Sequence, residues 1–414
     1  MGRRLAVVAL CGLAVGGFAL AAEGDWPQWR GPNRDGVAVG AKLPDRLPAS
    51  LAKVWELEVG AGYSGPVVSG SMVVLFSRQG DSEVIQCVSA SDGKPLWKDS
   101  YAAPYTPASV AARHGKGPFA TPTIAGARVF AFGISGILSC HELQGGKLLW
   151  RHDFKDKFKK TYPSWGASCS PLVEGGLCIV GIGAKSEGGL AAFDVETGKV
   201  VWTQASDGAS YSSPIAADLG GRRQLVALME HHLLAVEQKQ GDVLWQTPLA
   251  TKYEQNAITP TALRDKVIIA GYGEPTVAWR VVAREGKLAA SEVWRNDAEQ
   301  FYMSTPVLAG GCLLGLASRG GGTLVCINAE DGKTAWAGPR GLGEYASLVA
   351  AGDKALVLTT KGELLMLAAS PKEFVELGRV RLTQRPTWAH MAVAGTRIYI
   401  KDSSHLACFQ LTAP

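Results

Sequence analysis

A tryptophan returns along this chain at Trp55, Trp97, Trp150, Trp202, Trp245, Trp294 and Trp336, at intervals of 42 to 53 residues. In five places a similar tail leads into it: SDGKPLW at 91–97, QGGKLLW at 144–150, ETGKVVW at 196–202, KQGDVLW at 239–245 and EDGKTAW at 330–336. A period of this size marks a supersecondary unit repeated along the chain, each copy burying one face against the next. No other feature limits the possible folds as strongly.

Each unit reads as four short strands. A [Ser/Thr]-Pro segment opens strand A, an apolar strand B follows, then a strand C such as VIQCVSA or LAAFDVE, and after a glycine turn a strand D ending on the Trp. The glycine, at Gly93, Gly146, Gly198, Gly241 and Gly332, stands four residues before its Trp, where a tight hairpin calls for positive φ. Four antiparallel strands make a propeller blade. The strand A prolines at Pro66, Pro122, Pro171, Pro214, Pro260 and Pro306 suit an innermost edge strand, since proline lacks an N–H. Leu348 and Met391 take the same place in the last two units, so there are eight blades. The eighth ends after strand C, and an orphan strand D, Lys53-Val-Trp-Glu-Leu57, lies ahead of the first strand A. Supplying it to the last blade closes the ring. The fold expected is all-β: an eight-bladed β-propeller of four-stranded antiparallel blades. Blade five departs from the pattern, with Gly286 eight residues before Trp294, and blade seven has Leu377-Gly-Arg-Val-Arg in place of its Trp.

Composition agrees. Of 414 residues 47% are hydrophobic and 19% charged, with 50 Gly and 21 Pro, which suits many short strands and tight turns better than a helical solenoid. Residues 1–21 read as a signal peptide: Arg3-Arg4, an apolar run, then Ala19-Leu-Ala21. Export to a periplasmic or extracellular location follows, with an N-terminal arm at 22–50, the propeller at 51–414 and no membrane span in the mature chain. Loss of Arg3 and Arg4 takes Lys+Arg from 42 to 40 against 37 Asp+Glu, a net charge of +3 that gives no reason to invoke nucleic acid. A monomeric ring is expected.

The segment Ala192-Phe-Asp-Val-Glu-Thr-Gly-Lys-Val-Val-Trp202 matches in full the A-x-D-x-x-T-G-x-x-x-W docking motif of quinoprotein propellers, and the other tails match in part. The chain thus resembles the PQQ-like repeat family, in its BamB-like branch, and the opening Trp26-Pro-Gln-Trp-Arg-Gly-Pro-Asn-Arg-Asp-Gly looks like the leader of secreted PQQ-like propellers. The resemblance implies that Asp194 and Thr197 fasten the turn at Gly198 while the tryptophans dock blade on blade, which is architecture and not catalysis. It also brings two functions. One is a non-catalytic extracytoplasmic scaffold for protein or envelope-component binding. The other is a PQQ-dependent alcohol or sugar dehydrogenase with quinone and Ca²⁺ in the central funnel. The alcohol dehydrogenases of that family carry adjacent paired cysteines over the quinone, and no Cys-Cys pair occurs here. No residue matches the calcium ligands or the catalytic base, so no catalytic residue is assigned and no cofactor is expected.

Side-chain alternation locates a candidate site. One residue before the strand A proline stand Gly65, Thr121, Ser170, Ser213, Thr259, Thr305, Ser347 and His390. Three before it stand Tyr63, Phe119, Ser168, Tyr211, Ala257, Met303, Tyr345 and Trp388, five of them aromatic. The two sets share a face, so both are expected to turn to the channel, and Tyr63, Phe119, Tyr211, Tyr345, Trp388 and His390 form the candidate binding rim. The long connections at 98–117 and 151–166, with lysines at 155–160, emerge on the same face. His231-His232 falls in a hairpin there; with no third ligand nearby in sequence it reads as surface, and no metal is expected. Among the cysteines, Cys87, Cys140, Cys326 and Cys408 occupy a strand C slot that holds alanine elsewhere, as small buried hydrophobes would; Cys169, Cys178 and Cys312 are left open.

Overall fold

The computed structural model describes residues 24–154, 163–183, 188–249, 251 and 255–412. The leader at 1–21, the lysines at 155–160 and Tyr162 lie outside them. The described residues form eight four-stranded antiparallel sheets, the eight blades of a propeller. In blade 1 the strands are Val67–Ser69, Met72–Gln79, Ser82–Ser89 and Pro95–Ala102. Blade 8 takes Ala392–Ala394, Arg397–Lys401 and His405–Gln410 from the C-terminal end and Ala52–Glu58 from the N-terminal end. That pairing runs from Ala52 opposite Gln410 to Glu58 opposite His405. It leaves the last sheet as wide as the others.

The prolines fall differently from the sequence reading. In blades 1 to 6 the hydrogen-bonded innermost strand begins just after the proline, at Val67, Thr123, Leu172, Ile215, Thr261 and Val307. Proline has no N–H for the ladder and so stands at its threshold. Where Leu348 replaces it, the strand starts three residues earlier in the repeat, at Ala346. In blade 8 the Met391 N–H exists but donates to Ser347 Oγ of blade 7, at 3.2 Å.

Strand D carries the device that joins blades. Opposite each Trp stands a small residue of strand C: Cys87, Cys140, Ala192, Ala235, Ala278, Cys326 or Cys408. A register shift follows at once, and such a bulge re-aims the neighbouring side chain. Six of the tryptophans leave their own sheet and donate Nε1–H to a carbonyl of the next blade: Trp55 to Ala90, Trp97 to Leu143, Trp150 to Val195, Trp202 to Gln238, Trp294 to Ala329 and Trp336 to Ser370, at 2.7–3.1 Å. Each of the five tail glycines lies beneath the preceding blade's indole; a Cβ on Gly146 would come within 2.5 Å of Trp97. The turn at Gly198 is pinned by Asp194 Oδ1, which accepts from both the backbone N–H and the hydroxyl of Thr197. Blade 5 lacks the glycine platform because its last two strands, Glu274–Arg284 and Lys287–Asn296, prolong the hairpin to Gly286. Trp245 accordingly turns to Gln224 Oε1 of its own blade, at 2.6 Å.

Residues 24–50, which the sequence reading left outside the ring, run along its inner strands. Trp26 bridges Val68 of blade 1, the Ile124 N–H of blade 2 donates to the Pro27 carbonyl, and Val37 bridges Ala350 of blade 7. Arg34 donates to the carbonyls of Ser170 and Pro171, and Arg30 to those of Thr305 and Pro306. Both arginines are buried. Inner strands have an unpaired edge, and here the two guanidiniums satisfy carbonyls that would otherwise lack donors. In blade 7, where Gly378 stands at the Trp position opposite Met366, the arm supplies the missing packing: Leu47 lies on Gly378 and its N–H donates to the Leu377 carbonyl at 2.9 Å.

Candidate functional site

The residues leading into strand A converge on the axis. The nearer set links blade to blade: the N–H of Gly65 donates to Thr121 Oγ1, that of Thr121 to Ser170 Oγ, that of Ser170 to Ser213 Oγ and that of Thr259 to Thr305 Oγ1, at 2.9–3.1 Å. These hydroxyls are engaged in holding the ring together, although Ser170, Ser213 and Thr259 also touch the lumen. All eight of the farther set, Tyr63, Phe119, Ser168, Tyr211, Ala257, Met303, Tyr345 and Trp388, line one cavity of about 150 Å³. Its floor is Trp29 of the arm, anchored by Nε1–H to Thr259 Oγ1 at 2.8 Å. A second compartment of about 130 Å³ shares most of these walls and adds His114, Trp165, Gln255 and Tyr302 from the connections between blades.

The aromatics pack on one another around the wall. Phe119 stacks on Tyr63 at 5.1 Å, Tyr63 on Trp388 at 5.4 Å and Trp388 on Tyr345 at 6.0 Å between ring centroids. Trp165 meets Tyr211 edge-on. Such offset stacks stabilise each other by about 1 kcal/mol per pair beyond their burial, so the wall is formed before any guest arrives. Burial raises the pKa of the Tyr63, Tyr211, Tyr302 and Tyr345 hydroxyls and keeps them neutral. His114 is pushed down, first by burial and then by the Arg113 charge. The 3-10 turn Ser109–His114 leans over the mouth, its Arg113 paired with Glu344 of the blade 6 to blade 7 connection at 2.9 Å. Both partners are exposed, and such a pair contributes only about 0–1 kcal/mol.

His390 does not share the rim. It is buried between Trp26, stacked at 6.0 Å, and Trp29, edge-on at 5.0 Å, and its Nδ1 bonds the Met391 carbonyl. Sequence reasoning missed Trp29, Gln255 and Tyr302. Gln255, five residues before its proline, is in phase with the two sets but beyond the positions read, Tyr302, four before, is out of phase, and Trp29 comes from a segment with no strand pattern. All seven cysteines from Cys87 to Cys408 are buried free thiols; Cys169 and Cys178 lie near Arg34, and Cys312 and Cys326 occupy adjacent strands of blade 6.

A closed ring of eight blades, six of its junctions docked by tryptophan, plugged on one side and open on the other to an aromatic well, defines an eight-bladed propeller of the quinoprotein-like architecture. The family model described as outer membrane protein assembly factor BamB matches residues 80–338 and 281–376, and the chain belongs to that family. Among relatives, the BamB of Burkholderia pseudomallei (strain K96243) is 24% identical over 367 residues, covering 83% of this chain and 82% of that protein. Quinohemoprotein alcohol dehydrogenase ADH-IIG of Pseudomonas putida is 26% identical over 174 residues, 39% of this chain and 22% of the enzyme. The crystal structure of BamB from Moraxella catarrhalis superposes with a TM-score of 0.61 at 15% identity, over 87% of this chain and all of that one. The ADHIIG structure from Pseudomonas putida HK5 gives 0.65 at 12%, over 95% and 81%. These structural likenesses speak for the fold.

Proposed function

We propose that the protein is an exported, non-catalytic propeller that holds a partner protein or another envelope component at its open face, seating an apolar side chain of that partner in the aromatic well. The observation that carries this reading is the chemistry of the wall. Among the described residues that line either compartment there is no Asp, Glu, Lys or Arg. Pyrroloquinoline quinone bears three carboxylates and its Ca²⁺ requires anionic oxygen ligands, so this lining does not fit them, and His114, the only imidazole, is held toward its neutral form. Each compartment is close in size to the apolar cavities of about 150 Å³ that admit a benzene-sized guest, which suits a leucine or phenylalanine side chain. The BamB relatives support a protein partner.

Two measurements test this. Purified protein supplied with the quinone and Ca²⁺ is expected neither to bind the quinone stoichiometrically nor to reduce dye with a panel of alcohols and sugars; turnover would overturn the reading. A photo-cross-linking residue at Trp165, on the well's upper wall, is expected to give discrete protein adducts in whole cells that disappear when Tyr211 and Trp388 are changed to Ala. Adducts indifferent to those changes place the partner elsewhere on the ring.

A further inference from the structure

Asp207, Glu230 and His231 meet beside the well, although 23 residues of sequence separate the first two. Asp207 lies in the connection from blade 3 to blade 4, and Glu230-His231-His232 forms the turn between the second and third strands of blade 4, Arg222–Leu228 and His232–Val236. Both histidines point at the same carboxylate: His231 Nδ1 lies 2.9 Å from Asp207 Oδ1 and His232 Nδ1 3.0 Å from Oδ2. The sequence reading of this pair as mere hairpin surface overlooked Asp207, which reaches it only through the fold. One oxygen from each carboxylate and one nitrogen of His231 lie within 4.8 Å of one another.

The cluster is held from behind. Asp207 Oδ2 also accepts the His231 backbone N–H. The Glu230 N–H donates to the Gly208 carbonyl, and Asn256 Nδ2 donates to the carbonyls of Met229 and Glu230. Asp207 and Glu230 are 6% and 5% exposed, while the His231 side chain is half exposed and gives solvent a way in.

We propose that Asp207, Glu230 and His231 bind a divalent first-row transition metal, with His232 orienting Asp207. A mixed oxygen and nitrogen set of this kind suits Zn²⁺, whose ligands stand roughly 2.0–2.2 Å from the ion. Carboxylate and imidazole bind a metal only in their deprotonated forms, so binding weakens as pH falls. Asn256 ties the site to the well, because its carbonyl accepts the N–H of Tyr211. Metal binding therefore stiffens one wall of the cavity. The site stands apart from the partner reading above and can fail without it.

Isothermal titration of EDTA-stripped protein with Zn²⁺, and with Co²⁺ as an absorbing substitute, tests the assignment. One equivalent bound, a Co²⁺ visible spectrum of four- or five-coordinate type and a thermal midpoint that rises with the metal are expected. His231→Ala, at a half-exposed position, should weaken binding at least tenfold while leaving the metal-free midpoint nearly unchanged, and Glu230→Gln should do likewise. Absence of 1:1 binding, or binding that both variants leave intact, overturns the proposal.

Discussion

His390 shows what a single residue's surroundings impose. Its imidazole has exchanged water for two indoles and a neighbouring Arg30, and burial, with the Arg30 charge second, pushes its pKa down to about 3. An unfolded histidine titrates near 6.5. Between those values the unfolded chain takes up a proton that the folded one refuses, so stability rises with pH across that window and is lost as pH falls through it. Urea midpoints measured from pH 7 to pH 4 should decline in the wild-type protein and decline less in His390→Leu; parallel curves would show that the proton goes elsewhere. The sequence placed this residue correctly in the ring of eight but not its contacts. Alternation fixes which way a side chain leaves the strand, whereas Trp26 and Trp29 arrive from the far end of the chain with no periodic signal.

At the level of the element, the hairpin between strands C and D explains why the repeat was so legible. The glycine before each Trp meets two demands, a left-handed backbone and a surface flat enough for the preceding blade's indole. These can be separated. Gly146 has φ +69° with Trp97 at 2.5 Å from a would-be Cβ, while Gly286 has φ +78° with nothing within 4 Å. Alanine at Gly286 should cost about 1 kcal/mol, the backbone penalty alone. At Gly146 it should cost about 3 kcal/mol, because the docked indole must also move. Chemical denaturation of the two variants checks the difference, and equal losses would mean that the indole contact contributes nothing. The same logic accounts for the cysteines that alternate with alanine: the slot opposite each tryptophan admits only a small side chain. The repeat marked its exceptions but not how the fold meets them. Blade 5's longer hairpin and blade 7's Gly378 break the pattern, and in blade 7 the repair comes from Leu47, outside the repeat altogether.

For the molecule as a whole, closure rests on the strand Ala52–Glu58, and the arm that precedes it fills the axis. Deletion through residue 58 should remove the cooperative unfolding transition, since it strips blade 8 of its outermost strand and the inner edges of their arginine donors. A circular permutant opened at the exposed turn Gly80-Asp81, with Thr412 joined to Gly24 by a short linker, should retain it, because Gly24 already lies against Gly395 of blade 8. Loss of cooperativity in both would indicate that chain order, and not strand supply, governs closure. The count of blades and the strand exchange were readable from the census of tryptophans, since each element declares its own type. The plug was not, because Arg30 and Arg34 bind carbonyls, and Trp29 the Thr259 hydroxyl, whose availability is a property of the assembled ring.

The pairing of Ala52 with Gln410 also sets a timetable. A ribosome makes residues 52–58 before blade 1 and their partners at 405–410 only after blade 7, so seven blades can form while the seam is still open. During that interval one strand edge on each side of the gap stays bare and able to pair with another chain. Nascent chains of this protein therefore face their greatest risk of misassembly until the strand His405–Gln410 can pair with Ala52–Glu58, and in that interval a holding chaperone would have most to do.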